Sequence, residues 1–295
     1  MKVIITGRSG LVGSALSRRL AGQGHEVTGM SRHPGPGELG WDPASGSIDA
    51  GGFEGADAVV HLAGESIDGR WTPDKKRRIR ESRVVGTTLV AETIAGLDPP
   101  PGVLVSGSAI NIYGDRGREV VTESTPPGSS FLAGVCVEWE GAARPAAEAG
   151  VRVVHPRTGL VLAPDGGALA RMLPVFKLFA GGRLGSGEQM WSWISLADEV
   201  AALEYLLDHD IEGPVNLTTP NPVSNRQFAT TLGEVLGRPA ILPAPAPALR
   251  LVLGEMAEEL VLTSMDIRPE VLTRSGFTFT HPELGPALRA VLGDR

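Results

Sequence analysis

Apolar residues near the N-terminus follow the order strand, helix, strand. Residues 1–6 form a short apolar run rich in β-branched side chains, which predicts a buried strand. Apolar side chains then recur at helical spacing over residues 11–20, and Gly24 is expected to end that helix. Residues 25–30 predict a second strand. The first part of the chain is therefore expected to fold as a β-α-β unit.

A glycine-rich turn joins the first predicted strand to the helix, with the pattern G-x-x-G-x-x-G. Gly7 allows the tight turn, Gly10 lets a pyrophosphate approach the backbone, and Gly13 lets the helix pack on the strand. Such a turn can be merely structural, but the flanking strands favour a dinucleotide site. The backbone N–H groups at the helix start would face the phosphates. The predicted contacts in this turn are Gly7, Ser9, Gly10, Leu11, Val12 and Gly13.

The end of the second predicted strand indicates which dinucleotide binds. An acidic residue there accepts hydrogen bonds from the adenosine ribose and is typical of NAD sites. This chain instead has Ser31 and Arg32, with no carboxylate before Glu38. A hydroxyl and a guanidinium suit a 2′-phosphate through charge-assisted hydrogen bonds. The alternative is a solvated arginine on a loop, and NADP(H) is the predicted cofactor.

Strands and helices continue to alternate up to Arg157. Apolar runs predict strands at residues 56–64, 102–108 and 151–156, and helical patterns cover residues 74–97 and about 130–149. Alternation of this kind predicts a parallel, doubly wound sheet with helices on both faces. The predicted fold class is therefore α/β, with a Rossmann-like sheet.

The pattern changes after Arg157, where glycine-dense loops and a proline-rich connector separate further helices. The predicted organisation is an NADP(H)-binding Rossmann domain at residues 1–157 and a smaller α+β lobe at residues 158–295. That lobe is expected to close over the cofactor and to hold the substrate.

The amino-acid composition restricts the classes of molecule that the chain is expected to bind. The chain has 295 residues, 42% of them hydrophobic and 21% charged, as in soluble globular proteins. A net charge of −7 argues against nucleic-acid or anionic-membrane binding, and no apolar run approaches the ~18 residues of a membrane span. The single cysteine, Cys136, is typical of a reducing compartment, and the six histidines show no metal-ligand spacing. We expect a cytoplasmic protein without a metal; the oligomeric state stays open.

The carboxyl ends of the predicted parallel strands mark the edge where open α/β sheets bind ligands. Several polar or small residues follow these strands and are candidates for the site. The candidates are Leu62, Ala63, Gly64, Glu65, Ser106, Ser108 and Tyr113. Arg83, near the middle of a basic predicted helix, could face the cofactor, although most of that basic run is expected to be solvated.

The motifs placed so far resemble those of the extended short-chain dehydrogenase/reductases, the nucleotide-sugar epimerase and dehydratase superfamily. The chain is most similar to an uncharacterised epimerase-family branch whose members carry a C-terminal domain of unknown function. The resemblance rests on residues 6–13, 31–32, 62–65, 70–71, 82–83, 185–187, 193–194, 198, 213–216 and 236–239. It implies that NADP(H) contacts Ser31, Arg32, Leu62, Ala63 and Arg83. It further implies that Pro156, Thr158 and Leu160 lie near the nicotinamide.

One departure from that superfamily affects the chemistry. Its members use a Tyr-x-x-x-Lys pair on a helix, in which the lysine lowers the tyrosine pKa so that the phenol can transfer a proton. Phe131 stands at the tyrosine position here and Val135 at the lysine position. The only tyrosines, Tyr113 and Tyr205, are not followed by lysine four residues later. The usual epimerase mechanism is therefore not expected.

Two functions remain open. The first is an NADP(H)-dependent oxidoreductase acting on a small carbonyl or hydroxyl substrate, with Tyr113 or Ser108 as the substitute proton donor and Glu65 as a further candidate. The second is a non-catalytic NADP(H)-binding or redox-sensing module. Each candidate donor also has a structural interpretation: a buried ring for Tyr113, a strand-end hydroxyl for Ser108 and a solvated carboxylate for Glu65.

Overall fold

A nine-stranded sheet forms the centre of the computed structural model, which describes residues 1–293. The strand order is β13-β9-β6-β5-β1-β2-β3-β4, with β7 paired to β9, and every pair except β3–β4 is parallel. The strands are β1 (Lys2–Thr6), β2 (Glu26–Ser31), β3 (Leu39–Asp42), β4 (Ser47–Ile48), β5 (Ala58–His61), β6 (Val103–Ser106), β7 (Ser108–Ala109), β9 (Arg152–Thr158) and β13 (Gly213–Leu217).

Helices cover both faces of this sheet, which confirms the predicted doubly wound fold. Along β1, Val3 and Ile5 pack on one face with Leu16 of the first helix, whereas Ile4 packs on the other face with Val90. The helices are α1 (Leu11–Gly22), α2 (Pro73–Ala95), α3 (Phe131–Gly141), α4 (Arg144–Glu148), α5 (Gly167–Lys177), α6 (Leu196–Asp208), α7 (Asn225–Leu236), α8 (Ala246–Leu253), α9 (Glu270–Ser275) and α10 (Leu284–Leu292). None of the helices in the described part of the chain is both long and apolar enough to span a bilayer.

Short strand pairs and small helices build the C-terminal lobe. Its core is a separate cluster of buried residues that includes Phe176, Trp193 and Phe228. The strand pairs are β10 (Leu160–Leu162) with β12 (Trp193–Ser195), β11 (Met190–Trp191) with β14 (Val223–Ser224), and β8 (Val120–Val121) with β15 (Asp266–Ile267). A π-helical turn, Ala257–Val261, follows α8, and 3-10 turns occupy Ala50–Phe53 and Ile110–Tyr113.

Two elements of the predicted lobe at residues 158–295 belong to the nucleotide-binding part of the fold, since β13 is a strand of the sheet and α6 packs in its core. One sequence-based helix boundary needs correction. The helix predicted at about 130–149 is divided into α3 and α4. Pro145 lies in the first turn of α4, where its missing N–H costs no hydrogen bond, whereas it would interrupt a continuous helix.

Arg152 attaches α6 to the sheet. From β9 its guanidinium donates hydrogen bonds to three main-chain carbonyl groups at the end of α6 and just beyond: Leu206 O at 3.0 Å, Leu207 O at 3.0 Å and Ile211 O at 2.8 Å. These carbonyls have no partners within the helix and carry the negative end of its dipole, so a cation there is favourable. The position of α6 over β9 therefore depends on a contact from outside the helix.

We predict that Arg152→Met lowers the free energy of unfolding by about 2 kcal/mol, because hydrogen bonds from a charged group contribute ~1.5–3 kcal/mol. Urea denaturation monitored by circular dichroism measures the change. Arg144→Met is the matched control, since the Arg144 side chain is 78% exposed. It should change stability by less than about 0.5 kcal/mol. Equal effects of the two substitutions would contradict the assigned role of Arg152.

Candidate functional site

The glycine turn after β1 closes on itself and leaves the start of α1 open. Gly7 has φ +69°, and a Cβ at Gly13 would lie 2.3 Å from the Gly7 carbonyl oxygen. Gly10 donates from its N–H to that oxygen at 2.9 Å, and no side chain caps α1. Within the described residues no protein acceptor meets the N–H groups of Leu11, Val12 and Gly13. These free donors form an anion site of the kind that binds a pyrophosphate.

The Thr6 hydroxyl joins the ends of β1 and β5. It accepts hydrogen bonds from the N–H groups of Leu62 (3.1 Å) and Ala63 (3.2 Å), and it lies 2.8 Å from His61 Nδ1. Because the Thr6 oxygen already accepts twice, its own proton points to Nδ1. Burial lowers the pKa of His61 to about 4, so the ring is neutral at physiological pH. A Cβ at Gly7 would lie only 2.8 Å from Leu62 C, so the glycine turn and residues 62–63 are in contact.

The end of β2 carries an unpaired cation. Arg32 is exposed and, within residues 1–293, makes no hydrogen bond or ion pair, whereas the half-buried Ser31 accepts from the His33 N–H at 3.2 Å. Glu38 folds back onto Arg8 at 3.4 Å and accepts from the Gly35 N–H at 3.0 Å. Glu38 is thus paired with Arg8, and the positive charge of Arg32, which has no ion-pair partner within residues 1–293, is available to a ligand.

Arg83 lies beside the backbone at the end of β5. Its Nη1 donates to Glu65 O and Ile79 O, both at 3.0 Å, and its Cζ lies 5.0 Å from the Trp139 ring. A side chain at Gly64 would begin 3.4 Å from Arg83 Cζ, so the guanidinium lies against this glycine. In the described structure Nε and Nη2 have no acceptor and could reach a ribose or a phosphate.

Glu65 does not suit the role of proton donor. Its carboxylate accepts from Lys75 Nζ at 2.7 Å and lies 3.5 Å from Arg78 Nε. The hydrogen bond from Lys75 lowers the pKa of Glu65, against a smaller effect of burial. The group is therefore ionised at neutral pH and has no proton to give. Its main-chain contacts with Ser82 and Arg83 still form part of the site.

Tyr113 also does not suit that role, because its side chain belongs to the core. The residue is completely buried, and its hydroxyl donates to Asn216 Oδ1 at 2.7 Å and accepts from Arg157 Nη1 at 2.8 Å. Burial raises the pKa of Tyr113 to about 12. The hydroxyl cannot touch a substrate, so the expectation that Tyr113 faces the site is corrected.

Ser108 joins a buried ion pair at the carboxyl edge. Its Oγ donates to Glu140 Oε1 at 2.7 Å, and Arg157 holds the same carboxylate through Nε at 2.8 Å and Nη2 at 2.9 Å. Burial opposes ionisation of Glu140, but the hydrogen bonds from Arg157 and Ser108 outweigh it and lower the pKa. The Ser108 hydroxyl is thus oriented by an ionised carboxylate.

The remaining residues predicted to contact the cofactor differ in how exposed they are at the carboxyl edge of the sheet. Ser106 and Pro156 are buried within the sheet, and the Ser106 hydroxyl has no partner among the described residues. Leu160 and Thr158 are half-buried at the end of β9 and beyond it. A Cβ at Gly166 would lie 3.0 Å from Leu11 Cδ1, so the segment after Leu160 borders the start of α1. The end of β9 and the glycine turn therefore lie at the same carboxyl edge of the sheet, where open α/β sheets form a ligand crevice.

The positions of the missing Tyr-Lys pair are filled by apolar packing. Val135 is buried with Trp71, and the Phe131 ring meets Trp71 edge-on at a centroid distance of 5.6 Å. Lys76 Nζ lies 4.2 Å from the centroid of the Phe131 ring. Glu259, from the π-helical turn, accepts from Ser130 Oγ (2.8 Å) and from the N–H groups of Phe131 (3.0 Å) and Leu132 (3.2 Å). The C-terminal segment therefore caps α3.

Thr158 contacts a buried acid that the sequence-based predictions did not include. Its Oγ1 lies 2.8 Å from Glu199 Oε1, and Glu199 is 1% exposed in the first turn of α6. Burial raises the pKa of Glu199 to about 8, so this carboxyl group is mainly protonated at neutral pH. Helical spacing could have identified it, because Glu199 lies on the same buried stripe as Leu203 and Leu206.

Other residues of the site could not be found from local patterns. Glu140, Glu259 and Asn216 lie far from their partners along the chain, and each follows an ordinary helical or strand pattern. Only the assembled fold brings them together at the carboxyl edge.

Comparisons with known proteins agree with this architecture. A family model described as "NAD dependent epimerase/dehydratase family" matches residues 3–218, and a model described as "Domain of unknown function (DUF1731)" matches residues 244–291. An epimerase family protein of Mycobacterium tuberculosis is 43% identical over 290 residues, covering 97% of this chain and 96% of that protein. The chloroplastic homologue of epimerase family protein SDR39U1 from Arabidopsis thaliana is 39% identical, covering 99% and 87% of the two chains.

Solved structures give the same relationship. Human epimerase family protein SDR39U1, crystallised with NADPH, has a TM-score of 0.92 at 33% identity and covers 100% of both chains. A nucleoside-diphosphate sugar epimerase from Corynebacterium glutamicum has a TM-score of 0.82 at 37% identity, covering 99% of this chain and 58% of that one. The resemblance predicted from sequence motifs is confirmed. The chain belongs to the NAD dependent epimerase/dehydratase family and carries that family's DUF1731 segment at its C-terminus.

Proposed function

We propose that this protein binds NADP(H) and acts as an oxidoreductase on a small carbonyl or hydroxyl substrate. The observation that carries the proposal is the open start of α1, where the N–H groups of Leu11, Val12 and Gly13 have no protein acceptor in the described structure. Glycine at positions 7 and 13 is required by the backbone contacts there, and Gly10 is exposed where a pyrophosphate would approach. These features fit a dinucleotide.

The adenosine end of the site favours NADP(H) over NAD(H). Arg32 is exposed without an ion-pair partner in the described chain, whereas Glu38 is paired with Arg8. A free guanidinium can donate to a 2′-phosphate, and the end of β2 carries Ser31 and Arg32 in place of the carboxylate that would bind a ribose hydroxyl. The human relative crystallised with NADPH supports this assignment.

The substrate would lie at the carboxyl edge, between β7 and the end of β9. NADPH supplies the hydride when it is bound, and the protein must hold the substrate oxygen and manage its proton. Ser108 donates its own proton to the ionised Glu140, so its oxygen is free to accept a hydrogen bond. We therefore assign Ser108 to accepting a hydrogen bond from a hydroxyl group of the substrate, next to the reacting carbonyl, and not to donating the proton.

The neighbouring surface suggests a substrate with an apolar part. Phe131 and Trp71 form an aromatic pair in place of the usual tyrosine, and Lys76 lies over the Phe131 ring. Aromatic side chains of this kind provide contact area for an apolar group.

The alternative function is a non-catalytic NADP(H)-binding module. It is favoured by one observation: Val135 and Phe131 are integrated into an apolar cluster, with Tyr113 buried elsewhere. Nothing remains of the Tyr-Lys pair, so a module of this type would bind the cofactor without turnover.

We predict that NADPH binds at least tenfold more tightly than NADH and that Arg32→Ala removes most of this preference. A charged hydrogen bond to a phosphate contributes ~1.5–3 kcal/mol. Nicotinamide fluorescence titrations give both dissociation constants. Arg18→Ala is the control, since Arg18 is an exposed arginine on α1 remote from the end of β2. Equal affinities for the two cofactors in the unmodified protein would contradict the assignment.

We also predict slow NADPH oxidation by at least one member of a panel of hydroxyaldehydes, hydroxyketones, diketones and quinones. For a hydroxylated substrate, Ser108→Ala should lower kcat/KM about tenfold or more and leave the NADPH dissociation constant within twofold, because the acceptor for the substrate hydroxyl is lost. Stopped-flow absorbance measures both quantities. If NADPH binds but no substrate oxidises it, the binding-module function is correct. Turnover that survives Ser108→Ala unchanged would contradict the role of Ser108.

A further inference from the structure

The last two residues of β9 hold two carboxyl groups on opposite faces of the sheet. Arg157 points to α3 and binds Glu140, whereas Thr158 points to α6 and binds Glu199. The two environments differ: Glu140 is ionised by its hydrogen bonds with Arg157, and Glu199 has no cationic partner. One ionised and one protonated carboxyl group thus lie beside consecutive residues at the end of β9. Pairs of carboxyl groups in opposite protonation states are common in acid–base catalysis.

The surroundings of Glu199 lack the groups that a buried carboxylate needs. Its neighbour Asp198 is equally buried but accepts hydrogen bonds from Ser195 Oγ (3.1 Å), Thr280 N (2.8 Å) and His281 N (2.9 Å). Glu199 Oε1 has only Thr158, and Oε2 has no partner in the described residues. A neutral carboxyl group is far cheaper to bury than a carboxylate in such a place.

Charged groups near α6 are engaged with other partners. Arg19 of α1 pairs with Glu204, and Arg152 of β9 binds carbonyls at the far end of α6. Arg157 points to the opposite face of β9, and His281 lies 3.8 Å from Asp198. None of them contacts the Glu199 carboxyl group within the described chain, so desolvation dominates its protonation.

Thr158 holds this buried acid at the carboxyl edge of the sheet. The residue is half-buried at the carboxyl end of β9, and its neighbours Gly159 and Leu160 are half-buried as well. The segment that follows borders Leu11 at the start of α1, beside the free N–H groups. In the structure the Thr158 hydroxyl donates to Glu199 Oε1 at 2.8 Å. With Glu199 protonated, the same contact can reverse, so that Thr158 accepts from the carboxyl group and donates its own proton to a substrate oxygen.

We propose that Glu199 stores the proton for carbonyl reduction and that the Thr158 hydroxyl delivers it, replacing the proton-transfer function of the missing tyrosine. This inference rests on the proposed oxidoreductase function. Thr158 would be the catalytic residue that touches the substrate oxygen, and Glu199 a positioning residue that acts through it.

The step balances as a simple reduction. NADPH transfers a hydride to the carbonyl carbon and becomes NADP⁺, while the carbonyl π bond breaks toward oxygen. That oxygen takes the Thr158 proton, and the Thr158 oxygen takes the Glu199 proton. The products are an alcohol, an intact threonine and a Glu199 carboxylate. The carboxylate regains a proton from solvent when the product leaves.

We predict that Glu199→Gln slows single-turnover NADPH oxidation about 100-fold or more at pH 7, since general acid catalysis contributes roughly 10²–10⁴ in rate. Glutamine keeps the size of the side chain and can donate to Thr158 or accept from it, but it carries no transferable proton, so NADPH affinity should stay within twofold. Thr158→Val should slow the reaction similarly, whereas Thr158→Ser should retain most of it. Glu204→Gln, which removes a carboxylate from the same helix away from Thr158, should keep the unmodified rate within threefold.

Two pH measurements separate this role from a structural one. The rate of NADPH oxidation by the unmodified protein should fall above pH 8, because Glu199, with its pKa of about 8, loses its proton there. Glu199→Gln should remove this alkaline decrease in rate. Between about pH 4.5 and about pH 8 the folded protein keeps the Glu199 proton, whereas the unfolded chain, in which Glu199 has its ordinary pKa of 4.5, releases it. The free energy of unfolding should therefore decline as the pH rises from about 4.5 to about 8. Glu199→Gln should abolish this decline and be more stable than the unmodified protein at pH 8.

Each outcome has a distinct meaning. Turnover that is unaffected by Glu199→Gln and Thr158→Val overturns the relay but leaves the oxidoreductase function intact. Tight NADPH binding with no turnover on the whole panel overturns both. The difference in free energy of unfolding between Glu199→Gln and the unmodified protein is the last test. If this difference does not change between pH 5 and pH 8, Glu199 is ionised in the folded protein, which also overturns the relay.

Discussion

The close backbone contact between the β1–α1 turn and the end of β5 is the constraint on which the site depends. Gly13 lies against Gly7, Gly7 lies against Leu62, and the Thr6 hydroxyl holds the backbone of residues 62–63 in place. A side chain at either glycine would separate these elements. The same contact leaves the first N–H groups of α1 without protein acceptors, which makes the turn an anion site.

Two carboxyl groups from different helices lie beside the end of β9, where the proposed acid–base chemistry would take place. Glu140 on α3 and Glu199 on α6 reach consecutive residues of β9 from opposite faces, and their partners differ in charge. The low dielectric of the protein interior strengthens the attraction between Arg157 and Glu140, which keeps Glu140 ionised. The same low dielectric disfavours a charge on Glu199, which has no cationic partner and stays neutral. The Tyr-Lys pair is absent, and the sheet edge nevertheless retains one ionised and one protonated carboxyl group.

Local patterns in the sequence were enough to predict the sheet and the glycine turn. Strand periodicity and the glycine spacing depend on near neighbours, so the sheet and the turn could be inferred correctly, whereas the contact of Ser31 and Arg32 with the cofactor stays a prediction. Tyr113 was misplaced because its burial depends on Asn216 and Arg157, which are distant in the chain. The pairing of β13 with β9 across Arg157 was not visible in local patterns for a similar reason, because the two strands are distant in the chain. Glu199 was overlooked although its position on an apolar helical stripe was visible.

A crystal structure of the protein with NADPH tests the central claim most directly. The account predicts the pyrophosphate on the N–H groups of Leu11 and Val12, and the 2′-phosphate beside Arg32. It also predicts Thr158 Oγ1 within about 6 Å of nicotinamide C4, a span that one carbonyl group can bridge for hydride and proton transfer together. A nicotinamide turned away from Thr158, with its C4 facing only apolar side chains, would contradict the account.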